Sequence, residues 1–260
     1  VSGKVWFVGA GPGAEDLLTL RGARVLSEAD VVVWAASLVN REVLRHVRPG
    51  AEIVESSGLP LERMRGIYAR AAREGLAVAR VHSGDPGLYG AVQEQIELCE
   101  ELGLEWEMVP GVSSLGAAAA ALGRELTVPE ISQSVILTRR AHRTPMPEGE
   151  SIAGFAAHGT TMAIFLSAAR PRELQRELLE GGYGPDTPCA VVYRASWPDE
   201  AVIRCRLKEL ARSIREAGIT RTALILVGPA LGAGGTRSHL YSPHFSHSYR
   251  RAEKGGDGPA

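Results

Sequence analysis

Apolar residues along the chain fall into two kinds of run. Short blocks, many of them β-branched, occur at 5–8, 31–34, 53–54, 78–82 and 106–109. Between them lie longer stretches, 17–28, 41–47, 61–74 and 88–102, where apolar and polar positions mix at helical spacing. In 61–74, Leu61, Met64, Ile67, Tyr68 and Ala71 recur at steps of three and four and fall on one helical face. Asp16 and Asn40 are the expected N-caps of the first two helices. Strands spaced by helices predict parallel pairing and an α/β fold.

An alanine-rich helix is expected at 114–122, followed by a polar stretch containing Pro129. The expected organisation is an N-terminal α/β domain over 1–122, a linker over 123–132, a C-terminal α/β domain over 133–232 and a flexible tail over 233–260. Strand patterns resume at 134–138, 162–166, 189–193, 202–206 and 223–227. Pro198-Asp199 separates two of these with no room for a helix, which predicts an antiparallel hairpin and hence a mixed second sheet beside a mainly parallel first one. No internal repeat is visible.

Composition narrows the classes. At 260 residues, 45% hydrophobic and 23% charged, the chain can bury a real core. A net charge of -1 argues against a nucleic-acid partner. No apolar run approaches the roughly 18 residues of a membrane span, so no membrane association is expected. The chain starts almost directly in a strand pattern, without a signal-peptide signature. Cys99, Cys189 and Cys205 lack metal-ligand spacing and are odd in number, as reduced thiols of a cytoplasmic protein would be. His239, His244 and His247 belong to the polar tail, and no metal site is expected there. All but three of the 29 basic residues are arginine, suited to bidentate recognition of carboxylates and phosphates or simply to surface ion pairs.

Three loops carry candidate chemistry. Gly9-Ala10-Gly11-Pro12-Gly13 follows the first strand, and its glycines let a ligand approach the backbone. It loosely fits a dinucleotide fingerprint, but Pro12 removes one N–H and the second strand ends without the acid that would hold a ribose. A tight strand-to-helix turn explains it equally well. His82-Ser83-Gly84-Asp85-Pro86-Gly87-Leu88-Tyr89-Gly90 ends the fourth strand, with Asp85 placed to hold a hydroxyl or orient a nitrogen, or only to cap a turn. His82 reads as a hydrogen-bonded strand residue rather than a base. Pro110-Gly111-Val112-Ser113-Ser114 ends the fifth strand, where Ser113 or Ser114 caps the helix and leaves N–H groups for a ligand. In the second half, Thr138-Arg139-Arg140-Ala141-His142-Arg143-Thr144-Pro145 offers three arginines that either clamp carboxylates or form a solvated loop. No nucleophile triad, zinc motif or Walker loop is present.

In this order, Gly9–Gly13, Ser83-Gly84-Asp85-Pro86 and Pro110–Ser114 resemble the tetrapyrrole methylase family, over roughly residues 3–231. Further stretches, Ala36–Asn40, Glu55–Leu61, Leu88–Gln95 and Ser132–Arg139, are similar to one branch that methylates ring carbon C-11 in the cobalamin pathway. His142 departs from that pattern, standing where a glycine precedes the arginine. The resemblance implies two α/β domains with S-adenosylmethionine in a cleft between them, S-adenosylhomocysteine as product, a tetrapyrrole substrate and a homodimer. By the same resemblance Pro12, Ser83, Gly84, Asp85, Leu88, Ser113 and Ser114 line the cofactor from the first domain. Met162, Ala163, Tyr193, Arg194, Ala195, Pro229 and Ala230 line it from the second. Asp85 and Tyr89 are the catalytic candidates, and Arg139, Arg140 and Arg143 the candidates for substrate carboxylates. A methylase of another ring carbon, a relative acting on protein or RNA, a nucleotide-linked oxidoreductase and a non-catalytic cofactor sensor are the alternatives.

Overall fold

The computed structural model describes residues 3–142, 144–234, 238, 242–246 and 248–251. Arg143, His239 and His247 lie outside the described residues. The chain divides into two compact units. The first comprises Val1–Gly123, Val191–Ile203 and Ile219–Leu224, the second Arg124–Ala190, Arg204–Gly218 and Ile225–Ala260.

The first unit holds a five-stranded sheet of β1 (Lys4–Gly9), β2 (Val31–Trp34), β3 (Glu52–Glu55), β4 (Ala77–His82) and β5 (Glu105–Val109). The order is β3-β2-β4-β1-β5 and every pairing is parallel. Alternation of side chains across the pleat sends Val5, Phe7, Val31, Val33 and Val78 to one face, where they pack with Met64, Tyr68, Ile96 and Cys99. Val8, Val32, Ala79 and Val81 point the other way, onto Val25 and Leu26. Both faces of the sheet are covered, as a parallel sheet requires. The helices concerned are α1 (Leu20–Glu28), α2 (Leu61–Glu74) and α3 (Gln93–Glu101). In α2 the predicted face is the buried one, through Met64, Tyr68 and Ala71, and Gly75 ends the helix at φ 68°. The alanine-rich helix is α4 (Ser114–Leu122), closed by Gly123 at φ 59°.

A second five-stranded sheet has the order β6-β7-β10-β8-β9. Its strands are β6 (Val135–Arg139), β7 (Thr161–Phe165), β8 (Pro188–Tyr193), β9 (Ala201–Arg206) and β10 (Ala223–Val227). β6 pairs with β7 in parallel and β10 with β7 antiparallel, so this sheet is mixed. Its helices α5 (Ile152–Ala156), α6 (Pro171–Glu180) and α7 (Leu210–Glu216) were not anticipated above. α6 carried a readable start signal, proline at the first helical position.

Three boundaries differ from the sequence reading. Asn40 is a cap, accepting from the Glu42 N–H at 3.1 Å, but it caps a 3-10 segment, Arg41–His46. Asp16 caps nothing. It lies in a 3-10 turn, Glu15–Leu17, and α1 starts only after Thr19, whose hydroxyl accepts from the Gly22 N–H at 3.0 Å. The helix read from residue 88 begins at Gln93, because Tyr89 and Ala91 sit at φ 56° and 47°, outside any right-handed helix. Among the described residues no helix is long and apolar enough to cross a membrane.

Gly66 lies inside α2, is exposed, and has nothing within 4 Å of the position its Cβ would take. Gly66→Ala is expected to raise stability by about 0.5–1 kcal/mol, read as a shifted urea midpoint with an unchanged slope.

Candidate functional site

β4, β1 and β5 are consecutive neighbours in the first sheet, all running the same way. Adjacent parallel strands lie about 4.8 Å apart. Their carboxyl ends therefore bring the three glycine-bearing corners side by side, at the edge where open α/β sheets bind ligands. Backbone contacts join them. The Gly84 N–H donates to the Gly11 carbonyl at 2.8 Å, and the Gly11 N–H to the Gly84 carbonyl at 3.2 Å. The Ala10 N–H donates to the His82 carbonyl at 2.8 Å.

Most of the glycines serve this packing, so the tight turn that the sequence allowed for the first loop is present. A Cβ on Gly9 would lie 2.5 Å from Gly111 Cα, and one on Gly111 would lie 2.1 Å from the Gly84 carbonyl oxygen. Gly11 needs its freedom for φ 77° and for closeness to Leu17. Gly84 is different. At φ 66° its nearest neighbours on the Cβ side are Ser114 N at 3.7 Å, Ser113 Cα at 3.9 Å and the Val112 carbonyl oxygen at 4.0 Å. The buried Gly84 thus packs in ordinary contact against the N-terminus of α4. Ser113 is the cap, its hydroxyl accepting from the Leu115 N–H at 3.2 Å, and Ser114 is the first helical residue.

Asp85 ties two corners together. One carboxylate oxygen accepts from the Gly87 N–H at 2.8 Å, closing its own turn, and the other accepts from the Gly111 N–H at 2.8 Å. The turn role and the cross-loop role thus coexist, and the carboxylate retains lone pairs for a ligand. Pro12 is buried, Ser83 is exposed, and Leu88 is half-buried with its N–H on the Asp85 carbonyl at 3.2 Å. Tyr89 is 45% exposed. His82 is buried and leans on Phe7, ring centroids 6.0 Å apart. Burial first, then the charge of Arg80, pushes its imidazole down from 6.5 to about 3, against a smaller upward pull from the Gly90 carbonyl. Neutral at every ordinary pH, with a buried and unpartnered Nε2, it is no proton acceptor for chemistry near neutrality.

The remaining candidates are spread over the chain. Met162 and Ala163 are fully buried within β7, and Ala230 is fully buried beside a half-buried Pro229. The Arg140 guanidinium forks onto Glu177, Nε to Oε1 at 2.9 Å and Nη2 to Oε1 at 2.7 Å. The Arg139 guanidinium donates to the carbonyls of Thr144 at 3.3 Å and Pro145 at 2.9 Å. Tyr193, Arg194 and Ala195 end β8, where Arg194 takes φ 47°, pairs with Asp199 at 2.5 Å and stacks 4.5 Å over the Trp197 ring.

Three residues were missed in the sequence, Trp197, Ser196 and Arg80. Trp197 Nε1–H donates to the Pro12 carbonyl at 2.9 Å, while the Ser196 hydroxyl accepts from the Ala14 N–H at 3.0 Å. A Cβ on Gly13 would lie 2.1 Å from Trp197 Cδ1, so the indole occupies the space that glycine leaves. Nothing local signals a partner 185 positions away. Arg80 did carry a signal, as a lone cation inside an apolar strand that lies mid-sheet.

Two outcomes follow for the corners. Gly111→Ala is expected to cost at least about 2 kcal/mol, since backbone rather than a flexible side chain must yield. Its thermal midpoint should fall well below that of Gly66→Ala. For His82, the folded value lies below the unfolded one, so the native state binds fewer protons. Its contribution is whole above about pH 6.5 and is lost on acidification toward about pH 3, at up to about 1.4 kcal/mol per pH unit. The drop in urea midpoint between about pH 7 and pH 5 should be smaller in His82→Phe than in the parent.

Comparison with known proteins places this geometry. The family model "Tetrapyrrole (Corrin/Porphyrin) Methylases" matches residues 4–211. A precorrin-4 C(11)-methyltransferase of Pseudomonas aeruginosa is 48% identical over 250 residues, 96% of this chain and 99% of that protein. The X-ray structure of a cobalamin biosynthetic enzyme, cobalt precorrin-4 methyltransferase CbiF, superposes with a TM-score of 0.85 at 46% identity, covering 88% of this chain and 95% of that one. The uroporphyrin-III C-methyltransferase of Thermus thermophilus, crystallised with S-adenosylhomocysteine, gives a TM-score of 0.73 at 32% identity, covering 87% of this chain and 92% of that one. With a family model spanning most of its length, matched sheets of the expected kinds and the three corners in register at one sheet edge, the chain belongs to the tetrapyrrole methylase family.

Proposed function

We propose that this chain transfers a methyl group from S-adenosylmethionine to carbon C-11 of precorrin-4, or of its cobalt complex, giving a precorrin-5-type product in cobalamin biosynthesis. The observation that carries the reading is the near full-length likeness to proteins of that one activity, at 46–48% identity. The S-adenosylhomocysteine bound by the Thermus thermophilus relative supports the cofactor. We take the working form to be a cytoplasmic homodimer.

The nucleoside is assigned to the sheet edge where Gly84, at φ 66°, packs against Ser113 and Ser114 at the start of α4. Gly84, the free N–H groups that open α4, and the flanking Pro12, Ser83 and Leu88 are the residues we assign to it. Bound there, S-adenosylmethionine supplies an activated methyl group on a sulfonium sulfur. The residues of the chain then have one main task, which is alignment. Fixing two partners in attack geometry can lower a barrier by roughly 7–11 kcal/mol. Asp85 serves this by holding the Ser83–Gly87 corner against Gly111, and its remaining lone pairs face a hydrogen-bond donor on the acceptor. Tyr89, exposed and held at φ 56°, is the second side chain assigned to the acceptor. No side-chain nucleophile is needed, because the methyl passes directly to a ring carbon. The family resemblance also assigns to the cofactor the buried Met162, Ala163, Ala195 and Ala230 and the half-buried Tyr193, Arg194 and Pro229. Of the loop arginines, Arg139 and Arg143 are assigned to substrate carboxylates. Arg140 can join them only by exchanging Glu177.

Incubation with S-adenosylmethionine and enzymatically prepared precorrin-4, with and without cobalt, tests the reading. The expected product is heavier by one methylene, with the new methyl placed on C-11 by NMR. Calorimetry should show binding of S-adenosylhomocysteine and none of NAD(P). A methyl on another carbon would move the chain to a sibling activity, and binding of nicotinamide cofactor in place of the sulfur nucleoside would end the proposal.

A further inference from the structure

Arg80 is the odd cation of the first sheet. It stands in β4 with Phe7 on one side and Val33 on the other in register. Half-buried Arg70, Arg140 and Arg194 are neutralised by carboxylates, of Glu52, Glu177 and Asp199, and half-buried Arg139 is held by the carbonyls of Thr144 and Pro145 in an exposed loop. Arg80 forms no ion pair with any described residue. Its partners are all neutral. Nε donates to Gln95 Oε1 at 3.2 Å, and Nη1 donates to Ser56 Oγ at 2.9 Å and weakly to the Val81 carbonyl at 3.4 Å. Burial lowers its pKa from the ordinary 12.5, as expected for a charge whose solvation the protein has not replaced.

The partners are themselves fixed. Gln95 is 5% exposed, receives the Tyr68 hydroxyl on the same oxygen at 2.9 Å and donates its amide to the Ala91 carbonyl at 2.9 Å. Ser56 is 8% exposed and donates to the Trp34 carbonyl at 2.9 Å. Both oxygens are therefore turned toward the guanidinium and hold two of its three nitrogens. The third, Nη2, makes no hydrogen bond with a described residue and is not sealed from solvent. Its direction follows from where the partners lie. Trp34 ends β2, Ser56 follows β3, and Ala91 and Gln95 follow the Asp85 corner. The head thus lies at the carboxyl edge of the sheet, the edge that carries the three corners.

A fork locked on one side and open on the other is built for an oxygen anion, and a charge left without one is costly in such surroundings. We propose that Arg80, positioned by Gln95 and Ser56, is a carboxylate-binding residue whose open Nη2 edge takes an acetate or propionate group of the tetrapyrrole acceptor. The proposal rests on the methyl-transfer reading above. The cofactor also bears a carboxylate, but the acceptor bears several on its rim and must be held in orientation by them.

The experiment compares the parent protein with Arg80→Met and Ser56→Ala in two measurements, calorimetric affinity for S-adenosylhomocysteine and the KM for the tetrapyrrole in methyl transfer. Arg80→Met is expected to raise the acceptor KM about 10- to 100-fold, the loss of a charge-assisted hydrogen bond, with nucleoside affinity within about twofold. Ser56→Ala, which keeps the charge and frees one nitrogen, is expected to raise it about three- to tenfold. A loss confined to the nucleoside would overturn the acceptor assignment and give the site to the cofactor's carboxylate. An unchanged acceptor KM in a folded Arg80→Met protein would overturn the proposal outright. Should that variant fail to fold, an unchanged acceptor KM in Ser56→Ala would do the same. Parent protein that turns over no tetrapyrrole is a failure of the methyl-transfer reading, separately visible from these.

Discussion

Everything at the candidate site depends on one contact, the approach of three backbone corners at the ends of β4, β1 and β5. Strands in a parallel sheet are held at a fixed spacing by their ladder, so loops leaving neighbouring carboxyl ends must share a narrow edge. Here they share it by dispensing with side chains. Gly9 and Gly111 meet each other and the Gly84 carbonyl at distances that a Cβ on either would violate. The Gly11–Gly84 bridge and the Asp85–Gly111 hydrogen bond then lock the corners in place. Gly84 stands at this meeting point, in contact with the start of α4.

A rigid corner suits a reaction in which the protein's work is alignment. The activated methyl group needs no enzyme nucleophile. What it needs is an acceptor carbon held on the far side of the carbon–sulfur bond. Backbone strain is spent in the same neighbourhood: Tyr89 and Ala91 both sit at positive φ between the Asp85 corner and α3. Gln95, bonded to Ala91, couples that strained turn to Arg80 within β4. The polar network behind the corners and the corners themselves are thus one connected structure. Trp197 extends it by closing on Pro12 and filling the space beside Gly13.

The arginine-rich composition reads differently once partners are known. Many arginines here are consumed by carboxylates of the chain itself, including Arg140, which the sequence left open as a carboxylate clamp or a solvated loop residue. Composition alone cannot separate an arginine that a protein has neutralised from one that it has kept for a ligand. That distinction depends on whether a carboxylate from elsewhere in the chain reaches the guanidinium. For Arg80 none among the described residues does.

The α/β class, the parallel first sheet, the mixed second one and nearly every strand were legible along the chain, because burial on one or both faces leaves a local periodic trace. The three corners were legible too, since glycine clusters directly after strands have few uses. The first helix's cap, Thr19 in place of Asp16, and the start of α3 after the positive-φ residues Tyr89 and Ala91 were not, because backbone angles leave no trace in the hydrophobic pattern. Tertiary structure alone decided that the glycines pack loop against loop, that Asp85 spans two corners, that Trp197 meets Pro12, and that Arg80 inside the first sheet meets no carboxylate of the described residues. Each of these is a pairing between residues far apart in sequence. Local pattern records how exposed a position will be, and only the closed chain records what it will touch.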